Sequence, residues 1–172
     1  CAWYTKAVLE EYGIDTPVGS LCLPEWQTSS VYEGYRTHRE RAKANGTLYN
    51  EIVGGEWRER NPGVEFPEGV ALYRQLLADA VDGSITICAI GTLTALARLL
   101  ASGPDEISPL NGRDLVAAKV RSLVTMAEGW FPEGADVFNW RMDLGATARV
   151  LRGWPTTVLV SPWGREVCVG ER

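Results

Sequence analysis

The hydrophobic pattern is clearest in the second half of the chain, where short apolar runs alternate with amphipathic stretches. Residues Ile85 to Ile90 form an apolar run of strand length, and Gly91 follows it directly. Further strands are predicted over Ser122 to Met126 and Thr156 to Val160. Helices are predicted up to Leu100, over Asp114 to Val120, and over Leu144 to Leu151. This alternation predicts a Rossmann-like α/β fold, a mainly parallel sheet with helices on both faces.

The first half of the chain is less regular. A helix is expected from the start of the chain to Gly13, and a short strand over Thr16 to Leu23. Residues 24–67 are polar and read as an insertion or lid with a weak helix near Arg36 to Ala44. A helix over Val70 to Ala80 leads into the first apolar strand. We expect one α/β domain over residues 1–172, a fragment that begins inside a helix at Cys1.

The loops after the apolar strands are the candidate site. In parallel sheets the loops at the carboxyl ends share one edge, where ligands bind. Thr92 or Thr94 is expected to cap the helix after Gly91. The loop from Glu128 to Asn139 mixes acids with aromatics. Such a loop either lines a small-ligand pocket or seals the end of the sheet, and both interpretations stay open.

Composition and charge exclude several classes of function. The 172 residues are 45% hydrophobic and carry a net charge of −5, which argues against nucleic acid as a partner. No apolar run reaches the ~20 residues of a membrane helix, so a soluble protein is expected, cytoplasmic or exported. The four cysteines lack metal-ligand spacing, and Cys88 is interpreted as a small core residue. The one histidine, His38, reads as part of a solvated helix. The chain also lacks a nucleophile elbow, a phosphate-binding lysine loop and a three-glycine dinucleotide motif.

Three strings carry a resemblance to a known family: DGSITICAIGTLTALARLL, KVRSLVTMAEGWFPEGADVFNWRMDLGATARVL and GWPTTVLVSPW. Together they resemble the inosine-uridine-preferring nucleoside hydrolases, whose pattern includes a Gly-x-Leu-Thr turn, a strand ending in Met-Gly-Gly and a Glu-Phe-Asn segment. The resemblance implies an incomplete nucleoside-hydrolase-like fold. It also implies hydrolysis of the N-glycosidic bond of a ribonucleoside by a Ca²⁺-bound water. The implied partner is a small nucleoside or riboside, and the protein is either a monomer or a homo-oligomer.

The resemblance also implies roles for particular residues. Thr94 matches a threonine whose main-chain carbonyl joins the calcium shell, and Met126 matches a methionine beneath the ribose. Asn139 matches an asparagine that binds sugar hydroxyls, and Asp136 is a weaker candidate for the neighbouring glutamate. Asp143 is interpreted as a helix cap. The catalytic aspartates and most calcium ligands are expected upstream of Cys1.

Departures from the family pattern support an alternative function. Ala127 and Glu128 replace the two glycines, Val137 replaces the glutamate, and Ala95 replaces an asparagine. Gly164 stands where the relatives carry an acid. The alternative is therefore a non-catalytic relic of the same fold that binds a nucleoside or sugar.

Overall fold

A three-stranded parallel sheet and eight α-helices make up the part of the chain that a computed structural model describes, residues 2–21, 30–127 and 138–162. The chain divides into two compact units, Cys1–Gln75 and Leu76–Arg172. The helices are α1 (Ala2–Glu11), α2 (Ser30–Ala44), α3 (Tyr49–Arg60), α4 (Gly69–Asp79), α5 (Thr94–Ala101), α6 (Gly112–Lys119), α7 (Phe138–Arg141) and α8 (Leu144–Gly153). The strands are β1 (Ile85–Ala89), β2 (Val120–Ala127) and β3 (Thr157–Pro162).

The sheet has the order β1-β2-β3, and both pairings are parallel. Ala89 pairs with Thr125, and Met126 pairs with Ser161. The predicted α/β class and the predicted parallel sheet are therefore confirmed. Every strand begins and ends within two residues of its predicted bounds, because each apolar run is short and is bounded by polar or small residues.

One face of the sheet packs against helices and forms the core of the Leu76–Arg172 unit. Leu123, Thr125 and Ala127 are fully buried on this face of β2. Helix α5 packs against both α6 and α8, and α6 also contacts β2. The buried side chains of these helices include Leu96, Leu99, Leu115, Val116, Ala146 and Val150. Their spacing of three or four residues places them on one side of each helix.

The opposite face of the sheet is open in the described part of the chain. Thr86 and Cys88 are exposed on β1, and the Leu159 side chain on β3 is 52% exposed. The interpretation of Cys88 as a core residue is therefore wrong. Helices on both faces are not seen among the described residues. The strand order explains this, because right-handed crossovers that advance in one direction place their helices on the same side.

The Cys1–Gln75 unit is built on an aromatic cluster between α1 and α3. The ring centroids of Trp3 and Trp57 lie 5.8 Å apart, and those of Trp3 and Phe66 lie 4.8 Å apart. Trp57 is only 4% exposed, and its indole nitrogen donates a hydrogen bond to Glu10 at 2.6 Å. The cluster therefore holds α1 against α3 by apolar burial and by one satisfied indole N–H.

One prediction for the Cys1–Gln75 unit differs from the structure. The strand expected over Thr16–Leu23 is wrong in the described part, where Ser20 makes one isolated bridge to Glu68. Glycine and proline lie near Ser20, and only a few residues precede α4 on the partner side. Both segments are therefore too short to form a paired strand. Residues 24–67 contain the whole of α2 and of α3, and their role as an insertion or lid stays a prediction. The helices in the described ranges are all too short or too polar to span a lipid bilayer.

Candidate ligand-binding edge of the sheet

The three predicted strand ends meet at one edge of the sheet. Gly91 lies two residues beyond Ala89, and Ala89 pairs with Thr125 beside Met126. Met126 pairs in turn with Ser161. Ile90, directly after β1, is 80% exposed, so the described part of this edge is accessible to solvent at that residue. The predicted convergence of the strand ends is therefore confirmed, and it places Met126 beside the loop that begins at Ile90.

Asn139 joins the ends of β1 and β2. Its side-chain nitrogen Nδ2 donates to the carbonyl oxygen of Ile90 at 3.1 Å and lies 3.4 Å from the carbonyl oxygen of Met126. The same nitrogen lies 3.1 Å from the Met126 sulfur. Because all these neighbours are acceptors, the orientation of the amide is determined. The amide oxygen Oδ1 receives no hydrogen bond within the described part of the chain, and it remains an acceptor for a ligand hydroxyl.

The neighbouring residue, Trp140, anchors α7 to the core. The Trp140 indole nitrogen donates to Thr125 Oγ1 at 3.1 Å, and both side chains are buried. The Thr147 hydroxyl donates to the Trp140 carbonyl oxygen at 3.0 Å, also in a buried position. Helix α7 has only four residues and would not be stable by itself. The bonds of Trp140 to β2 and α8 hold it in place, and they thereby fix the position of Asn139. Sequence reasoning missed the bond between Thr125 and Trp140, although a threonine inside an apolar strand is a signal for a buried polar partner.

Thr94 and Asp143 connect the beginnings of α5 and α8. The Thr94 hydroxyl donates to Asp143 Oδ2 at 2.7 Å, and Asp143 Oδ1 accepts from the Ala146 backbone N–H at 3.0 Å. The interpretation of Asp143 as the cap of α8 is confirmed. Both carboxylate oxygens are engaged, and the negative charge lies where the helix dipole favours it.

The prediction that Thr92 or Thr94 caps α5 is wrong. Leu93 is the residue before α5, and no side chain caps that helix. The Thr94 hydroxyl turns to the Asp143 carboxylate instead, because a charged acceptor makes the stronger hydrogen bond. The Thr94 carbonyl belongs to the first turn of α5 and points along the helix axis toward its C-terminal end. The role of Thr94 in a calcium shell stays a prediction.

Several candidate residues lie outside the described residues. Asp136, Glu128, Val137 and Gly164 are among them, and the side chain of His38 is also outside. Among the residues that are described, no three His, Cys, Asp or Glu side chains come together as a metal site.

Comparisons with known proteins add no relative. No protein-family model matches the chain, no curated protein matches it, and no solved structure matches it.

Proposed function

We propose that the carboxyl edge of this sheet binds the ribose of a nucleoside or of a similar riboside. The observation that carries the proposal is the orientation of Asn139. Its side-chain nitrogen contacts the carbonyl oxygens at the ends of β1 and β2. Its side-chain oxygen is therefore left to accept a hydrogen bond from a ligand. Sugar hydroxyls need acceptors as well as donors, and a fixed amide oxygen provides one at low entropic cost. The resemblance to nucleoside hydrolases supports ribose as the sugar and the finer assignment of a nucleoside-hydrolase-like fold.

Hydrolysis of the N-glycosidic bond by a Ca²⁺-bound water requires a cluster of carboxylate ligands. The described residues do not bring such a cluster together. Calcium binds six to eight oxygens, several of them carboxylates. Both Asp143 oxygens are already used within the protein, and the described residues hold no cluster of metal ligands. They therefore do not fit a calcium centre by themselves. The proposal for this chain is accordingly binding, the alternative that the departures from the family pattern favour.

A titration of the ¹⁵N-labelled chain with inosine tests this proposal. We expect inosine to shift the side-chain amide signals of Asn139 and the backbone signals of Gly91 in a saturable way. The matched control ligand is 2′,3′-dideoxyinosine, which keeps the base but lacks both ribose hydroxyls. It should bind at least about tenfold more weakly, because unmade hydrogen bonds leave polar groups without partners.

Two results would overturn the proposal. Equal binding of both ligands would show that the edge does not recognise ribose hydroxyls. A folded protein whose Asn139 signals do not move with inosine would show that it does not bind the nucleoside there. Release of hypoxanthine from inosine by this chain with Ca²⁺ would replace binding with catalysis.

A further inference from the structure

A second candidate site lies within the Cys1–Gln75 unit, in a cleft beside α1 and α3. The cleft has a volume of about 350 Å³, which is at the lower end of the range for small-molecule sites. Aromatic, amide and charged side chains line it: Trp3, Tyr4, Arg39, Asn50, Glu51 and Arg58. Because Trp3 and Tyr4 are only half-buried, they offer aromatic surface to a ligand.

Arg58 gives this cleft an unbalanced positive charge. Arg39 forms an ion pair with Glu51, so these two side chains neutralise each other. The Arg58 guanidinium lies 5.3 Å from the centre of the Trp3 ring and, within the described residues, has no carboxylate partner. The Trp3 ring holds the guanidinium at the cleft wall by a cation–π contact, and no residue in the described part of the chain accepts a hydrogen bond from its N–H donors.

Gly55 lines the cleft without presenting a side chain to it. It lies in the interior of α3, where glycine weakens a helix by about 1 kcal/mol relative to alanine. The neighbouring Gly54 has a packing reason, because an added Cβ would lie 3.0 Å from the Tyr4 backbone nitrogen. Gly55 has no such reason, because an added Cβ would meet nothing within 4 Å. Because Gly55 is part of the cleft lining, we expect a large side chain at this position to occupy cleft space.

An adjoining cleft of about 880 Å³ shares Trp3, Gly55 and Arg58 with the first one. Its lining adds Glu59 and Glu65, which oppose an anion there. The smaller cleft is therefore the better place for a negatively charged group.

We propose that the smaller cleft binds a small molecule with one carboxylate and a planar aromatic ring. The carboxylate accepts hydrogen bonds from the Arg58 guanidinium, whose planar fork matches carboxylate geometry. The ring lies against the exposed parts of Trp3 and Tyr4. This site is independent of the proposed ribose-binding edge.

The test uses 2-naphthoate as the probe and 2-naphthamide as its neutral control. We expect saturable binding of 2-naphthoate, with a shift of the Trp3 indole N–H signal in ¹⁵N NMR spectra. The amide should bind about tenfold more weakly, because it lacks the charge-assisted pair with Arg58. Arg58→Gln should remove the preference for the carboxylate. Arg60→Gln is the matched control on the same helix, because Arg60 does not line the cleft and should leave the preference unchanged.

Gly55→Leu provides a second variant that leaves Arg58 in place. It should fill the cleft and abolish binding of both probes while the protein stays folded by circular dichroism. Equal binding of the two probes to the natural chain would overturn the proposal. An unchanged preference in Arg58→Gln, or unchanged binding in folded Gly55→Leu, would also overturn it.

Discussion

At the scale of single residues, a few polar side chains join the elements at the edge of the sheet, and Thr94 and Asp143 are one such pair. Thr94 and Asp143 are 49 positions apart in the chain, yet a bond of 2.7 Å joins them. The sequence indicated that Asp143 caps a helix, because the local pattern around a cap is visible in sequence. It did not indicate the bond to Thr94, because a contact over such a separation leaves no periodic signal. Local pattern also suggested that Thr92 or Thr94 caps α5, which is wrong, because the sequence does not show that the Asp143 carboxylate competes for the Thr94 hydroxyl.

The Thr94 bond predicts a measurable stability change. Thr94→Val removes the donor to the Asp143 carboxylate while keeping the volume of the side chain. We expect the free energy of unfolding to fall by about 1.5–3 kcal/mol, the range for hydrogen bonds to charged groups. Urea unfolding at pH 7 measures the change.

Two controls separate the bond from a general effect of valine. In an Asp143→Ala background the Thr94→Val change should cost almost nothing, because the acceptor is gone. Thr86→Val, at an exposed position on the open face of the sheet, should change stability by no more than ~0.5 kcal/mol. A cost for Thr94→Val that is equal in both backgrounds would contradict the assigned bond.

At the scale of elements, the sequence predicted the Leu76–Arg172 unit well and the Cys1–Gln75 unit poorly. The three strands stand out because each is a short apolar run with a helix pattern before and after it. Helix α3 was not predicted, because its sequence is polar and has two adjacent glycines in the middle. Its stability comes from Trp57, which packs against Trp3 in α1. Tertiary burial overrides weak local propensity here.

The two adjacent glycines of α3 predict opposite effects of the same substitution. Gly54→Ala should destabilise the protein, because the new methyl group would lie 3.0 Å from the Tyr4 backbone nitrogen and 3.3 Å from Trp3 Cβ. Gly55→Ala should stabilise it by about 0.5–1 kcal/mol, because alanine favours the helix and meets no atom.

Each glycine is the matched control of the other, since the two differ only in the face of α3 they occupy. Thermal unfolding of both variants measures the pair. Stabilisation by Gly54→Ala would contradict the close packing of α1 against α3. Destabilisation by Gly55→Ala would contradict the open space beside Gly55.

At the scale of the whole molecule, one ion pair in the Cys1–Gln75 unit makes a contribution to stability that depends on pH. The hydrogen bond from Arg39 holds the pKa of the Glu51 carboxyl below its ordinary value of 4.5, and burial opposes this in part. A depressed pKa in the folded state adds stability that is complete above the unfolded value and is lost as pH falls below it. Both side chains are more than a third exposed, so water and salt screen the pair.

Arg39→Met should therefore raise the pKa of Glu51 toward 4.5 and weaken the loss of stability in acid. A ¹³C NMR titration of the Glu51 carboxyl carbon measures the pKa directly. Arg41→Met is the matched control on the same helix and should leave that pKa unchanged. An unchanged Glu51 pKa in Arg39→Met would contradict the ion pair.

The central claim is that Asn139 uses its amide nitrogen to join two strand ends and presents its oxygen to a sugar. A crystal structure of the full chain with inosine tests this claim most directly. We predict a ribose hydroxyl about 3 Å from Asn139 Oδ1, with Nδ2 still on the carbonyl oxygens of Ile90 and Met126. A ribose bound elsewhere, or an Asn139 side chain turned away from both carbonyls, would contradict the account.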